Sequence, residues 1–302
     1  MDAVTRIARD ALSRDGNIAD FADFASSKPG IPERAVTEPR QQYRTIWISD
    51  IHLGTRGCNA EMLIDFLDHV DSEKMYLVGD IIDGWRLKKK FYWPQAHNDV
   101  VWRILKRAKR GTEVIYIPGN HDEVMRQFTG LDFGGVVIRR KAIHETVDGR
   151  RLLVLHGDEF DMITLTHKWL AHVGDVAYES MMALNRWVNA YRRFFKLPYW
   201  SLSKHAKAKV KNAVEFISNY EEVIAEAAGA RGVDGVVCGH IHTAEFRNIG
   251  GVEYYNDGDW VEGCTALVEH FNGRMELLHW ADEIAARHAA RADEAKIEML
   301  AA

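Results

Sequence analysis

The sequence predicts an α/β fold, and three observations support that class. Strand-like and helix-like segments alternate, several strand-like runs end in Asp, Asn or His, and glycine pairs separate the later strand-like runs. Alternation of this kind is typical of layered α/β cores. In order, we expect a strand at Tyr43–Ile48, a helix near Ala60–Val70, a strand at Met75–Val78, a helix near Asn98–Lys109 and a strand at Glu113–Ile117.

Glycine pairs predict three β-hairpins in the later part of the chain. Asp148-Gly149, Gly250-Gly251 and Asn272-Gly273 each lie between strand-like runs. These pairs supply the positive φ angles that tight hairpin turns require. We therefore expect antiparallel strands beside the alternating core.

Four kinds of segment follow from composition and pattern. Residues 1–42 lack strand signals and contain Pro29-Gly30, so we expect a loosely packed leader. The core should comprise residues 43–161 and 231–280, separated by a helical cap insertion at residues 162–230. A charged, alanine-rich helix is expected at residues 281–302.

The bulk composition is that of an ordinary globular chain of 302 residues with a formal net charge of −5. No apolar run approaches the roughly 18 residues that a membrane span requires. The first 20 residues lack the apolar region of a secretory signal, and the three cysteines form no CxxC pair. We therefore expect reduced thiols and a cytoplasmic location; the oligomeric state stays open.

Five short motifs carry the chemistry, and each follows an aliphatic run at a predicted strand end. They are Ser49-Asp50-Ile51-His52, Gly79-Asp80, Gly119-Asn120-His121-Asp122, Leu155-His156-Gly157-Asp158 and Gly239-His240-Ile241-His242. In open α/β sheets the carboxyl ends of strands meet at one crevice. A lone His on a strand is more often structural, but paired ligands at several strand ends favour a metal centre. The Asp-x-His and His-x-His spacings fit strand periodicity, which would place both members of each pair on one side.

The order of these motifs, from about residue 45 to 262, resembles that of the calcineurin-like metallophosphoesterases. The resemblance implies two packed mixed β-sheets flanked by helices, with the cap as an insertion. It also implies two metal sites that share Asp80. The first site would use Asp50, His52, Asp80 and His242. The second would use Asp80, Asn120, His156 and His240.

The same resemblance implies a mechanism. Two cations lower the pKa of a shared water, giving hydroxide for in-line attack on phosphorus. His121 would act at the leaving-group oxygen, and Asp122 would fix the tautomer of His121. Asp83 and Asp158 are expected to be supporting residues. Imidazole, carboxylate and amide ligands suit Mn²⁺, our expected metal, and also Fe²⁺, Co²⁺ or Zn²⁺.

Within that family, the motifs around Asp50 and Asp80 and the insertion before Gly239 are similar to those of UDP-2,3-diacylglucosamine diphosphatases. These enzymes cleave the pyrophosphate of a lipid-linked nucleotide during lipid A synthesis. The best-known branch carries Arg where this chain has His121, so the chain is closer to a sister branch. Another phospholipid or nucleotide substrate stays an alternative.

A cationic window supports an anionic, partly apolar substrate. Residues 186–211 contain eight lysines or arginines and no acidic residue, and residues 192–200 interleave cations with aromatic groups. That composition is typical of surfaces that meet anionic lipid, so peripheral contact with the inner membrane surface is expected. The substrate-binding candidates are Ser203, Lys204, Lys207 and Lys211. Nucleic acid is not expected because the rest of the chain is acidic. A non-catalytic scaffold is disfavoured because every ligand is present.

Overall fold

The computed structural model describes residues 40–160 and 220–287, together with residue 289. Within these residues the strands form two sheets. The first seven strands are β1 (Gln41–Ile48), β2 (Val70–Val78), β3 (Glu113–Ile117), β4 (Asp132–Phe133), β5 (Val136–Ile138), β6 (Ala142–Glu145) and β7 (Arg151–Val154). The remaining five are β8 (Gly235–Cys238), β9 (Glu245–Ile249), β10 (Val252–Asn256), β11 (Thr265–Glu269) and β12 (Met275–His279).

The larger sheet has seven strands in the order β12-β11-β1-β2-β3-β5-β4. Strands β1, β2, β3 and β5 are parallel, whereas β11 pairs with β1 in the antiparallel direction. The smaller sheet has the order β6-β7-β8-β10-β9, with β7, β8 and β10 parallel. In both sheets the parallel strands bring their carboxyl ends to one edge, where the motif residues follow.

Side-chain alternation along the strands sorts the core into three layers. On β3, Val114 and Tyr116 pack with the helices, whereas Ile115 and Ile117 pack between the sheets. This is the period of two that a strand buried on both faces requires. The layer between the sheets is rich in aromatic residues, including Trp47 stacked on Tyr76 at 5.6 Å.

Helices flank the two sheets. They are α1 (Ala60–His69), α2 (Gly84–Lys89) and α3 (Gln95–Lys109), with 3₁₀ turns at Glu123–Phe128 and Asp158–Phe160. Helical segments also occupy residues 220–229 and 280–287. Leu63 and Phe66 of α1 and Val100 and Ile104 of α3 are buried in the outer core of the larger sheet, as the period of 3.6 predicts.

The predicted α/β sandwich and its hairpins are confirmed. Strand β3 has the predicted bounds, and each of the three glycine pairs joins two antiparallel strands. Strand β2 is longer than predicted, because Val70 to Lys74 continue the ladder beside β1. The polar and charged residues at 71–74 hide the apolar pattern of a strand.

Two predicted boundaries shift. Strand β1 starts at Gln41, inside the predicted leader, and Arg40 already donates a hydrogen bond to the Asp68 carbonyl. Residues 220–229, assigned to the cap, pack instead on the smaller sheet through Tyr220, Ile224 and Ala228. Residues 1–39 and 161–219 lie outside the described part, so the remainder of the leader and cap stays a prediction. Of the terminal helix predicted at residues 281–302, residues 281–287 are helical.

None of the helices among the described residues has the length and apolar character needed to cross a bilayer.

Candidate metal centre

Five of the seven candidate ligands occupy left-handed backbone conformations just beyond the strand ends. Positive φ angles occur at Asp50 (49°), His52 (54°), Asp80 (52°), His240 (72°) and His242 (55°). Each such residue costs about 1–2 kcal/mol relative to an ordinary conformation. Strain of this kind persists only where surrounding structure over-determines it, and it concentrates at functional sites.

The explanation of the Asp-x-His and His-x-His spacings by strand periodicity is wrong. Strand β1 ends at Ile48 and β8 ends at Cys238, so neither pair lies on a strand. Left-handed residues, rather than strand periodicity, turn Asp50 and His52 toward the same point. The loops are held by a continued ladder, in which the amides of Asp50 and His52 donate to the carbonyls of Gly79 and Asp80.

One group of side chains contains Asp50, His52 and His242, whose potential ligand atoms all lie within 4.8 Å of one another. His242 Nε2 is 3.1 Å from Asp50 Oδ1, and His52 Nε2 is 3.4 Å from His242 Nε2. His52 Nε2 also lies 3.9 Å from Asp80 Oδ2. These are the four ligands expected for the first metal.

A second group contains Asp80, His156 and His240. His156 Nδ1 is 2.8 Å from the Val78 carbonyl, so Nδ1–H donates there and Nε2 is directed at Asp80, 3.5 Å away. A backbone carbonyl that fixes the ring in this way is the usual support of a metal-binding histidine. Asp80 therefore stands between the two groups.

Among the expected ligands, three buried polar atoms form no hydrogen bond with another described residue: Asp50 Oδ1, Asn120 Oδ1 and His156 Nε2. The same holds for Nδ1 of the neighbouring His121. Charged neighbours lie 3.1 Å from Asp50 Oδ1 and 3.5 Å from His156 Nε2, but not in hydrogen-bonding geometry. Buried polar atoms are normally hydrogen-bonded, so each such orphan requires an explanation. Asp50 and Asp80 are also buried, and in the described residues no lysine or arginine pairs with them. Carboxylate, imidazole and amide donors of this kind fit divalent transition metals.

The charges in the centre reinforce this fit. Burial alone would lower the pKa of His156, but the neighbouring Asp80 carboxylate and the negative charge of Asp50 raise that pKa to about 10. Burial would raise the pKa of Asp80, but His156 holds it well below its usual range. In the metal-free protein, a proton on His156 thus supplies the positive charge beside the Asp80 and Asp50 carboxylates. A cation would take over that role and release the proton.

His121 borders both groups, and its partner differs from the one expected. His121 Nδ1 is 3.1 Å from Asp83 Oδ2, and its Nε2 is 3.9 Å from Asp80 Oδ2. Asp83 is also 3.4 Å from His52 Nδ1 and caps α2 by accepting from the Arg86 amide. The expectation that Asp122 fixes the His121 tautomer is wrong: Asp83 occupies that position.

Asp122 instead joins the two loops that carry Asp80 and His121. Its carboxylate accepts from the amides of Gly119 (2.6 Å) and Ile81 (2.8 Å) and from the hydroxyl of Tyr116. Asp122 is buried and faces the backbone, whereas the His121 amide donates to Asp80 at 2.9 Å. Asp122 therefore positions the loops. Asp158 pairs with Arg126 at 2.7 Å, consistent with a supporting role.

Glycines in two motifs are required for close approach. A Cβ on Gly119 would lie 2.2 Å from Asp80 Oδ1, and one on Gly239 would lie 2.4 Å from Asp50 Oδ2. Neither glycine has a positive φ, so the requirement comes from space alone. The chain must pass directly over each carboxylate.

Sequence reasoning missed a buried pair of hydrogen bonds behind Asp50. The Ser49 hydroxyl lies 2.6 Å from both Asp50 Oδ2 and Asp257 Oδ1. The Ser49 hydroxyl is the donor to both carboxyl groups, and burial raises the pKa of Asp257 well above its usual range. Asp257 directly follows β10, and the same strand-end rule that found Asp50 would have found it. Sequence reasoning also missed Trp85, whose ring packs 4.3 Å from that of His121.

The structure thus brings the six predicted Asp and His ligands and His121 together at one edge of the two sheets, with Asn120 next to His121 in the same loop. The predicted substrate-binding residues Ser203, Lys204, Lys207 and Lys211 lie outside the described residues. Their role stays a prediction.

The family profile described as calcineurin-like phosphoesterase matches residues 43–244, which is more than half of the chain. The chain belongs to the calcineurin-like phosphoesterase family. It is accordingly a hydrolase of phosphoester bonds in a family that uses divalent metals. The matched residues include every predicted ligand and both histidines of the Gly-His-x-His motif.

Solved structures with similar folds include YfcE, a phosphoesterase from E. coli, at 14% identity and a TM-score of 0.37, covering 78% of this chain and 98% of that one. An archaeal phosphodiesterase matches at 13% identity and a TM-score of 0.36, with coverage of 78% and 98%. Vps29 from Entamoeba histolytica, solved with Zn²⁺, matches at 12% identity and a TM-score of 0.37, again with 78% and 98%. These likenesses are too distant to bear on substrate. No curated protein matches the chain.

Proposed function

We propose that this chain is a dinuclear metallophosphohydrolase that cleaves the pyrophosphate of a lipid-linked nucleotide such as UDP-2,3-diacylglucosamine. The observation that carries the dinuclear assignment is the pair of ligand groups on either side of Asp80. The three orphaned polar atoms support it, since each belongs to an expected ligand. The first metal would be held by Asp50, His52, Asp80 and His242. The second would be held by Asp80, Asn120, His156 and His240.

When bound, two divalent cations supply an activated water and neutralise charge on the phosphoryl oxygens. The protein groups around them have separate tasks. Asp83 holds His121 through Nδ1 and leaves Nε2 directed into the centre, where it can act on a leaving-group oxygen. Asp122 fixes the position of the loop that presents Asn120 and His121.

The lipid-linked nucleotide is proposed from the sequence resemblance and from the cationic window at residues 186–211. A substrate of this class carries a diphosphate and acyl chains, so it requires both cations and apolar surface. Ser203, Lys204, Lys207 and Lys211 are the proposed contacts. Mn²⁺ is the proposed metal, and a cytoplasmic site with peripheral membrane contact is the proposed location.

Removing the shared ligand tests the dinuclear assignment. Asp80→Ala should abolish hydrolysis of an aryl phosphodiester in Mn²⁺ and reduce bound Mn²⁺ to less than one ion per chain. The matched control is Asp282→Ala, which removes an exposed carboxylate and should keep full activity. Full turnover in Asp80→Ala, or wild-type turnover that survives complete chelation, would contradict the assignment.

A substrate panel tests the finer proposal. With Mn²⁺, wild-type protein should convert UDP-diacylglucosamine to UMP and the lipid monophosphate, identified by mass, faster than simple nucleotide sugars or phospholipids. Charge reversal at Lys204, Lys207 and Lys211 should raise KM for the lipid-linked substrate by about tenfold or more, while a small aryl phosphodiester is spared. Equal losses on both substrates would show that the lysines act only through folding.

A further inference from the structure

An exposed surface formed by Trp85–Trp93 lies beside the metal centre, and we call it the basic–aromatic segment. It comprises helix α2 after its first residue and the four residues that follow the helix. Its nine residues contain four cations, four aromatic residues and no acidic residue. The cationic window at residues 186–211 is a separate part of the chain.

The cations of this segment are exposed and form no ion pair with the part of the chain that the structure describes. Arg86, Lys88, Lys89 and Lys90 are all exposed. Among the described residues, none of the four forms an ion pair with a carboxylate. The carboxylate that precedes the segment, Asp83, is buried and is directed at the histidines of the metal centre. The positive charge is therefore available to an outside partner.

An apolar side chain stands among these charges. Phe91 is 77% exposed, more than any other large apolar side chain in the described residues, and Trp85 is 43% exposed. Leaving a phenylalanine in water forfeits about 1.5–3 kcal/mol relative to full burial. Phe91 directly follows Lys88, Lys89 and Lys90, so charge and apolar surface are presented together.

The segment is fixed to the core rather than free. The Leu87 side chain packs over Gly54, where a Cβ would come within 2.7 Å of it. The Trp93 ring packs 5.4 Å from His97, and Trp93 Nε1 donates to Asn98 Oδ1 at 2.8 Å. The Arg56 guanidinium lies 4.8 Å above the Tyr92 ring. These contacts hold Phe91 and the lysines in one arrangement next to His121, which packs against Trp85.

We propose that the basic–aromatic segment docks the protein on an anionic lipid bilayer. Lysines and arginines beside a bilayer gain about 1 kcal/mol each from anionic headgroups, and an exposed aromatic ring enters the interface between them. Nucleic acid fits less well, because a long polyanion would also meet the rest of a chain whose formal net charge is −5. Docking through this surface places the edge of the metal centre at the membrane. It does not depend on which substrate is hydrolysed.

Sedimentation with vesicles tests this proposal on the full-length protein. The probes are vesicles of pure phosphatidylcholine and vesicles with phosphatidylglycerol as about one third of the lipid. Wild-type protein should bind the anionic vesicles, and binding should weaken as salt is raised. The double variant Lys89→Glu and Lys90→Glu should bind at least about 30-fold more weakly, from about fivefold for each lost charge. Phe91→Ser should weaken binding by about tenfold.

Matched variants control for net charge and apolar content. Lys109→Glu with Arg110→Glu makes the same charge change on exposed residues at the other end of α3. Phe271→Ser removes another exposed ring, in the β11–β12 hairpin. Both controls should bind vesicles like wild type. Hydrolysis of a soluble aryl phosphodiester should be unchanged in all four variants, which separates docking from catalysis.

Three results would overturn the proposal. The first is wild-type protein that does not sediment with anionic vesicles. The second is segment variants that bind as tightly as their controls, which would assign binding to another surface. The third is equal binding to both kinds of vesicle, which would remove the role of the cations. Loss of binding in the segment variants alone would support it.

Discussion

Two buried carboxylate clusters border the same strand, β1, and they differ in how fully their polar atoms are satisfied. In the middle of the strand, Glu269 accepts from Arg44 at 2.6 Å, from the Val147 amide at 2.9 Å, and lies 2.9 Å from His144 Nε2. Beyond its end, Asp50 Oδ1 forms no hydrogen bond with another described residue, although His242 Nε2 lies 3.1 Å away. We call the Glu269 cluster closed, because protein groups pair its carboxylate, and the Asp50 cluster open, because one of its oxygens forms no hydrogen bond.

The difference separates a structural network from a ligand site. A buried charge that is fully paired by the protein has no capacity for another partner, and removing it leaves its neighbours unpaired. An open cluster with orphaned acceptors is incomplete until something positive enters. Burial of charged residues alone would not have distinguished the two. The number of buried polar atoms that have a hydrogen-bond partner does distinguish the two clusters.

The largest stability effect is expected in the closed cluster. Glu269→Gln should lower the free energy of unfolding by about 3–5 kcal/mol, because Arg44 loses its buried partner. Denaturant unfolding in chelator measures this. Asp50→Asn should change the stability of metal-free protein by less than about 1 kcal/mol, since it removes a charge that the protein leaves incompletely paired.

A half-exposed ion pair provides the control for that comparison. Glu113→Gln breaks the pair with Lys74, and surface pairs contribute about 0–1 kcal/mol. If Asp50→Asn destabilises metal-free protein as much as Glu269→Gln does, the distinction between the two clusters fails.

A smaller effect is expected at the support of His121. Asp83→Asn should lower kcat about 10–100-fold, the usual range for changes behind metal-site histidines. The Asp83 carboxylate lies between His121 and His52, so the bell-shaped dependence of kcat on pH should also shift. Asp122→Asn should mainly lower stability, because Asp122 faces the backbone. A pH profile unchanged by Asp83→Asn would show that Asp83 serves only to cap α2.

The smallest and most gradual effect concerns pH. In metal-free protein the pKa of His156 is raised to about 10, so its contribution to stability is complete below about pH 6.5 and is lost as pH rises toward 10. The pKa of Glu269 is lowered to about 2, so its contribution is complete above about pH 4.5 and is lost as pH falls toward 2. Urea unfolding at pH 6 and 9 measures the alkaline loss.

Mn²⁺ distinguishes the two clusters in the same experiment. A bound cation would take the place of the proton on His156, so metal-loaded protein should keep its stability at pH 9. The acidic limb set by Glu269 should persist with or without metal. An alkaline loss of equal size in both forms would contradict the role given to His156.

These clusters also show how far the sequence determines the structure. Strand β3 and the three hairpins follow from local patterns, because apolar runs and glycine pairs encode them within a few residues. All seven expected ligands lie in motifs at strand ends. The left-handed turns at Asp50 and His52 cannot be predicted from these motifs. The Asp-x-His spacing also fits an extended strand, which would place the two side chains on one side for a different reason.

Local sequence patterns cannot predict side-chain contacts between residues that are far apart in the sequence. His121 lies next to Asp122 in the chain, yet its imidazole meets Asp83, because Asp122 is directed at the amides of Gly119 and Ile81. In the same way, the hydrogen bond from Ser49 to Asp257 joins residues that follow strands of different sheets. Such contacts are determined by the packing of the two sheets.

Anomalous X-ray scattering from crystals grown with Mn²⁺ tests the central claim most directly. The account predicts two Mn²⁺ peaks, one on each side of the Asp80 carboxylate, the first in contact with His242 and the second with His156 and Asn120. No peak at this edge of the sheets, or a single peak that leaves Asn120 Oδ1 and His156 Nε2 without a partner, would contradict it.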